Sequence, residues 1–277
     1  MLGLGTSLMQ PTLQNEAFYS IALDGSGDYI NLGNITGLLD EDFTISWWEQ
    51  VADATPTTSW YGFRDTSAGA GNRLEFTKQG ALFARMDFQH SNSSSGTALM
   101  YPWQGGSGND RDVWRHFAIQ VDVDGGDAGY VKLNWYQDGV LAFTDYGSGP
   151  TDSVNINTVP TSGLSTGFGA RDFYLGANNT GNSPTGTNPA NYETGNFAEV
   201  AIHQAYLSED NIVAIYNSGN AGIDLRANSG NYTHASDLVR YYRFTEGTGT
   251  RLVDATGNAD ATIVNGTWDL VRHPTTS

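Results

Sequence analysis

The stretch Ala22-Leu23-Asp24-Gly25-Ser26-Gly27-Asp28-Tyr29-Ile30-Asn31-Leu32, followed by Asp42-Phe43-Thr44-Ile45-Ser46-Trp47-Trp48, decides how this chain is read. The first part reads as two short strand pieces around a Gly/Asp turn. In the second part Phe43, Ile45 and Trp47 alternate with Thr44, Ser46 and Trp48. That period of two belongs to a strand with one buried face.

The strand pattern continues outward. Residues 73–77 and 82–88 predict a hairpin joined near Gln79-Gly80, and Trp114 to Val121 predicts another strand. Tyr130 to Tyr136 follows, and Asp138-Gly139 predicts a tight turn into Val140 to Phe143. Residues 173–176 and 197–203 supply two more strands. One helix is predicted: Ser208 is its N-cap, Glu209 and Asp210 suit the positive helix start, Ile212, Ile215 and Tyr216 form an apolar face, and Gly219 or Asn220 ends it. Residues 91–108 and 177–195 are loop-like. Residues 1–17 are polar and weakly periodic, an N-terminal arm that serves either as a linker or as a docking segment; residues 18–277 are expected to form one domain.

Composition agrees with an all-β chain. Of 277 residues 34 are Gly, 12% are aromatic and 16% are charged, which suits a sandwich with many turns and uncharged polar loops. The formal charge of −17 repels phosphate backbones and anionic lipid, so neither nucleic acid nor a membrane is an expected partner. The same acidity suits solubility, calcium or a saline setting. There are no cysteines, and the start of the chain lacks the basic and apolar regions of a signal peptide.

Several of these segments resemble the laminin-G-like, concanavalin-A-type jelly roll. The Asp-Gly opening and Trp114-Arg115-His116-Phe117-Ala118-Ile119 carry the resemblance, with Tyr136-Gln137-Asp138-Gly139 and Phe197 to Ile202 followed by Ala205-Tyr206-Leu207-Ser208 and the helix. The resemblance implies an all-β, two-sheet antiparallel jelly-roll sandwich with one short helix, in a family that is mostly a binding scaffold. Residues 237–249 and 253–258 resemble the strand and turn that precede the Asp-Gly opening in many members, yet here they come last. That is the order of a circular permutation, and it predicts that the C-terminal strands pair beside the N-terminal ones. This order, with the start Met1 to Leu8, is similar to virion proteins of tailed, especially marine, bacteriophages.

Catalysis is not expected. Glucanases of this fold place acid and nucleophile carboxylates at alternate positions of one strand, and the sequence has no such Glu-x-Asp run. Glu199 stands alone on its strand, the five histidines are scattered, no Gly-x-Ser-x-Gly surrounds Gly25 to Gly27, and there is no P-loop. Residues 122–127 look like the start of an EF-hand loop, but the twelfth position is Leu133, so an acidic hairpin turn is the better reading.

Calcium is the one candidate cofactor. The resemblance places it near the joined termini, with Asp24 or Asp28, Glu199, Asp254 and Asn258 as ligands. The competing reading is that Asp, Asn and Gly simply suit tight turns, through side-chain bonds to their own backbone. For a glycan, aromatic rings on loops are the candidates: Trp60 and Tyr61 beside a Pro/Thr/Ser turn, Tyr101 and Trp103 in a Ser/Gly loop, and Trp48, out of phase with Trp47. Packing under a loop or in the core is the alternative for each ring.

The expected function is a non-catalytic virion structural protein assembled in a host cytoplasm. It is either a fibre or adhesin that binds host-surface glycan, or a capsid decoration protein contacting other virion subunits, as a homo-oligomer or part of a larger assembly. The alternative is a carbohydrate-binding module of a secreted or glycan-degrading system.

Overall fold

The computed structural model describes residues 18–35, 37, 41–51, 59–64, 73–79, 83–89, 113–122, 130–141, 154–160, 171–180, 188–219 and 222–269. In chain order the strands are β1 (Ser20–Asp24), β2 (Tyr29–Asn34), β3 (Phe43–Val51), β4 (Ser59–Arg64), β5 (Arg73–Gln79), β6 (Phe83–Gln89), β7 (Trp114–Asp122), β8 (Tyr130–Gln137) and β9 (Val140–Leu141). They continue as β10 (Val154–Pro160), β11 (Asp172–Leu175), β12 (Asn178–Asn179), β13 (Pro189–Ala190) and β14 (Thr194–His203). Helix α1 (Glu209–Tyr216) follows, then β15 (Leu238–Tyr242), β16 (Arg251–Leu252), β17 (Ala261–Val264) and β18 (Thr267–Asp269).

These strands build two sheets. The first runs β10-β8-β7-β3-β14-β1-β18, with β9 beside β8 and β15 beside β14. The second runs β13-β12-β4-β11-β2-β17-β16, with β5 between β4 and β6. Among the described residues every pairing is antiparallel except that of β12 with β4.

The inner faces meet in one core. Phe43, Ile45 and Trp47 of β3 point into it, with Ile21 and Leu23 of β1, Ile30 and Leu32 of β2, and Phe173 and Leu175 of β11. Trp47 packs against both Phe117 and Trp135, at centroid distances of 5.7 and 6.1 Å. The out-of-phase Trp48 faces the other side of the first sheet, where α1 covers a second apolar cluster built on Ile212, Ile215, Tyr136 and Leu207. The Ser208 side chain caps α1 at Asn211 N–H, as expected. The helix ends earlier than expected: Asn217, at φ +48°, turns the chain left-handed and donates its N–H to Val213 O. The Asp138-Gly139 turn is the two-residue hairpin that its sequence predicts, both residues having positive φ.

The C-terminal strands complete the sheets of the N-terminal ones. β18 pairs with β1 (Ser20↔Asp269, Ala22↔Thr267), and β17 pairs with β2 (Ile30↔Ile263). β1 and β15 share one edge of β14, β1 against residues 194–197 and β15 against residues 200–203. Between them β14 bulges. On its other edge Ala198 pairs with Trp48 and Ala201 with Ser46, so three steps on β14 oppose two on β3. The extra residue reverses the inward phase. Phe197 is in the core, and after the bulge Val200 and Ile202 are, while Ala201 joins the outer cluster. Glu199 absorbs the distortion at φ +36°.

Candidate functional site

The expected ligand residues divide by location. Trp48 is 2% exposed, beneath α1, where it stacks on Tyr216 at 5.8 Å and contacts His116 at 5.1 Å. This corrects the expectation of an exposed ring: the helix that the sequence predicts occupies the outer side of the sheet. Trp60 and Tyr61 lie within β4. Tyr101 and Trp103 fall outside the described residues.

The expected metal ligands form two separate groups. Asp24 and Asp28 belong to the opening turn: Asp28 Oδ2 accepts from Asp24 N–H at 3.0 Å, and Asp24 Oδ1 accepts from Ser26 N–H at 2.7 Å. Burial raises the Asp28 carboxyl above its usual range, against the lowering effect of the Asp24 N–H bond. Glu199 and Asp254 lie further along the seam, joined through Tyr241. The five steps along β14 from Thr194, opposite Asp24, to Glu199 correspond to about 16 Å.

Asp254 is 3% exposed and organises the tail turn. Its Oδ1 accepts from Tyr241 N–H (2.9 Å) and Thr256 N–H (3.0 Å), and its Oδ2 from the N–H groups of Asn258 (3.1 Å) and Ala259 (3.0 Å). Asn258 turns its side-chain amide to Val239 O at 2.9 Å. These are the bonds that the turn reading expects of Asp and Asn. Glu199 Oε2 accepts from Gly222 N–H at 3.0 Å, and Oε1 lies 3.4 Å from the Tyr241 hydroxyl, which also donates to Ile223 O at 2.7 Å. Burial pushes the Glu199 carboxyl up to about 7; the Gly222 bond, the Arg243 charge and the Tyr241 hydroxyl pull the other way. Among the described residues no three His, Asp or Glu side chains converge on one point.

A different set of side chains forms an aromatic and polar patch. On β2 and β11 the core positions are Ile30, Leu32, Phe173 and Leu175, so Tyr29, Asn31, Asp172 and Tyr174 project from the outer face of the second sheet. The Tyr29 ring packs on Tyr174 at 4.6 Å and faces Tyr192 at 6.5 Å. Tyr174 is buried; Tyr29, Asn31, Asp172 and Tyr192 are half-exposed. The polar members are held in place. Asn31 Nδ2 donates to Asp172 Oδ2 at 2.9 Å, and Asn31 Oδ1 accepts from Gly33 N–H at 2.7 Å. The Tyr192 hydroxyl donates to Pro189 O at 3.0 Å. Burial raises both Tyr29 and Tyr174, and the negative charge of Asp172 adds to it.

Beside this patch lies Gly62 of β4, opposite Tyr174. It has φ +104°, and a Cβ there would stand 2.0 Å from Leu74 O. Opposite it on β5 is Glu75, fully buried, whose Oε1 accepts from Asn178 Nδ2 at 2.5 Å. The outer face therefore offers rings, an amide and a positioned carboxylate, side by side on rigid strands. The sequence signal was available: Tyr29 and Tyr174 are large aromatics at the solvent phase of strands whose other phase is aliphatic or Phe.

No protein-family model matches this sequence, and no curated protein does. Solved structures share the fold. A Bacteroides ovatus protein provisionally described as carbohydrate binding superposes with a TM-score of 0.55 at 15% identity, over 94% of this chain and 62% of that one. This chain thus spans less than two thirds of that protein. The CBM40 of a Ruminococcus gnavus IT-sialidase, bound to α2,3-sialyllactose, gives 0.45 at 12% identity over 71% of this chain and 97% of that one. A heptameric SAP-like pentraxin of Limulus polyphemus gives 0.46 at 9% identity over 90% and 96%. At these identities the likeness concerns architecture: the chain is a two-sheet jelly-roll sandwich with one short helix.

Proposed function

We propose that this chain is a non-catalytic glycan-binding protein and that the tyrosine patch of the second sheet is its sugar site. One observation carries the reading: the half-exposed Tyr29 ring faces the Tyr192 ring at 6.5 Å and lies in the field of Asp172, whose Oδ2 is held by Asn31. A pyranose lays its C–H face on an aromatic ring and directs hydroxyl donors to a fixed acceptor. Few convergent polar groups among apolar surface are what such a site requires. The carbohydrate-binding description of the Bacteroides ovatus protein supports the same class.

The setting is a second question. Resemblance to tailed-phage proteins favours a virion surface, as adhesin or decoration protein; the solved neighbours favour a carbohydrate-binding module at least as well. Co-sedimentation with particles separates the two settings. For the binding itself, a glycan array with the whole chain and with Tyr29→Ala is the test. Binding by the first and its loss in the second, with unchanged thermal stability, is expected. An identical profile for the two proteins refutes the placement of the site.

A further inference from the structure

The electrostatics of the patch carry the reading one step further. Asp172 has one oxygen, Oδ2, clamped by Asn31, and no hydrogen bond to Oδ1 is seen among the described residues. Oδ1 is therefore an acceptor with its orientation already fixed, in a half-exposed position. The described charged group that acts on both Tyr29 and Tyr174 is this same carboxylate; no described cation offsets it there. The background is the −17 charge of the whole chain.

We infer that the patch selects uncharged, hydroxyl-rich sugars over sugars bearing a carboxylate or sulfate, and that Asp172 is the residue that sets this preference. The inference rests on the glycan-binding reading above. A neutral sugar gives Oδ1 a hydroxyl proton, a charge-assisted hydrogen bond. An acidic sugar laid on the same rings brings a second negative charge within several ångströms of Asp172. At the edge of water that repulsion weakens binding by roughly tenfold at low salt. Salt screens it, so the preference shrinks as ionic strength rises. Packing alone would give no such salt dependence.

The test uses the whole chain and matched pairs of oligosaccharides, with and without a terminal sialic acid, lactose and α2,3-sialyllactose among them. Affinities are measured by calorimetry or on an array, at low salt and at 1 M salt. Tighter binding of the neutral members at low salt is expected, with a ratio that falls at high salt. Asp172→Asn narrows the low-salt ratio towards one while Asn31 retains an oxygen to bond. Equal or tighter binding of the sialylated members overturns this inference and leaves the glycan reading standing. A wild-type preference that Asp172→Asn does not change overturns the role of Asp172. Absence of binding to every member of a broad array overturns the glycan reading, and this inference with it.

Discussion

Replacing Glu199 by Gln separates the carboxyl's charge from its shape. In the folded chain burial holds this acid at about 7, against an ordinary value of 4.5. The folded state therefore keeps a proton that the unfolded state gives up at lower pH. Stability rises with pH where the unfolded state binds more protons. Here the folded state binds more, so this group makes stability fall as pH rises from about 4.5 to about 7, and the loss is complete above that. At 1.36 kcal/mol per unit, the difference of about 2.5 units amounts to about 3 kcal/mol.

Gln has the same shape. Its carbonyl can accept from Gly222 N–H, and its amide can donate to the Tyr241 oxygen while Tyr241 still donates to Ile223 O. Any fixed offset from these bonds is independent of pH. The stability of Glu199→Gln minus that of wild type thus grows by about 3 kcal/mol from pH 4 to pH 8, which is about 6 to 12 °C in melting temperature for a domain of this size. Denaturant titrations or calorimetric scans of both proteins at matched pH measure it, and every other titrating group cancels in the difference. Parallel curves refute the buried neutral carboxyl. A difference of the opposite sign means that Arg243 holds Glu199 ionised.

Other consequences are simpler to measure. Asp254→Ala strands the N–H groups of Tyr241, Asn258 and Ala259, and is expected to cost about 3 kcal/mol or more in chemical denaturation. Gly62→Ala forces a Cβ against Leu74 O at a positive φ, so loss of several kcal/mol or failure to fold is expected, read by circular dichroism. His116, packed against both Trp48 and Tyr216, is pushed down to about 3 by burial. The unfolded chain protonates this residue near 6.5, so its contribution to stability is full above that pH and falls as pH drops towards 3. His116→Phe should flatten that acid limb by up to about 5 kcal/mol in denaturant titrations against pH.

Much of this was legible in the residues. Phe43, Ile45 and Trp47 announced their strand because its two faces differ so clearly, and Asp138-Gly139 and Ser208 are local signals that need no distant partner. The phase of Trp48 was readable too, but not its cover, because which side α1 takes depends on the whole sheet. The bulge at Glu199 was not readable. Phe197, Val200 and Ile202 break the alternation by one step, yet Ala198 and Ala201 fit either face, so the sequence leaves the break ambiguous. The tyrosine patch was legible only in part: the solvent phase of Tyr29 and Tyr174 could be read, but not which rings meet. Tyr29, Tyr174 and Tyr192 come from distant segments, whereas Trp60, Tyr61, Tyr101 and Trp103 stand in or beside stretches whose local composition already looks loop-like.

The pairing of Ser20 with Asp269 has a mechanical side. In an antiparallel pair, the entry to β1 and the exit from β18 lie at the same end. Tension applied between these two ends would part the pair one bond at a time, like a zipper, at low force. Tension applied between the entry to β1 and a ligand held on the second sheet would instead load β1 along its length, against β14 on one side and β18 on the other, so that several bonds resist together. The same fold is thus weak in one direction of pull and strong in another. Where the chain is anchored decides which strength a bound surface meets.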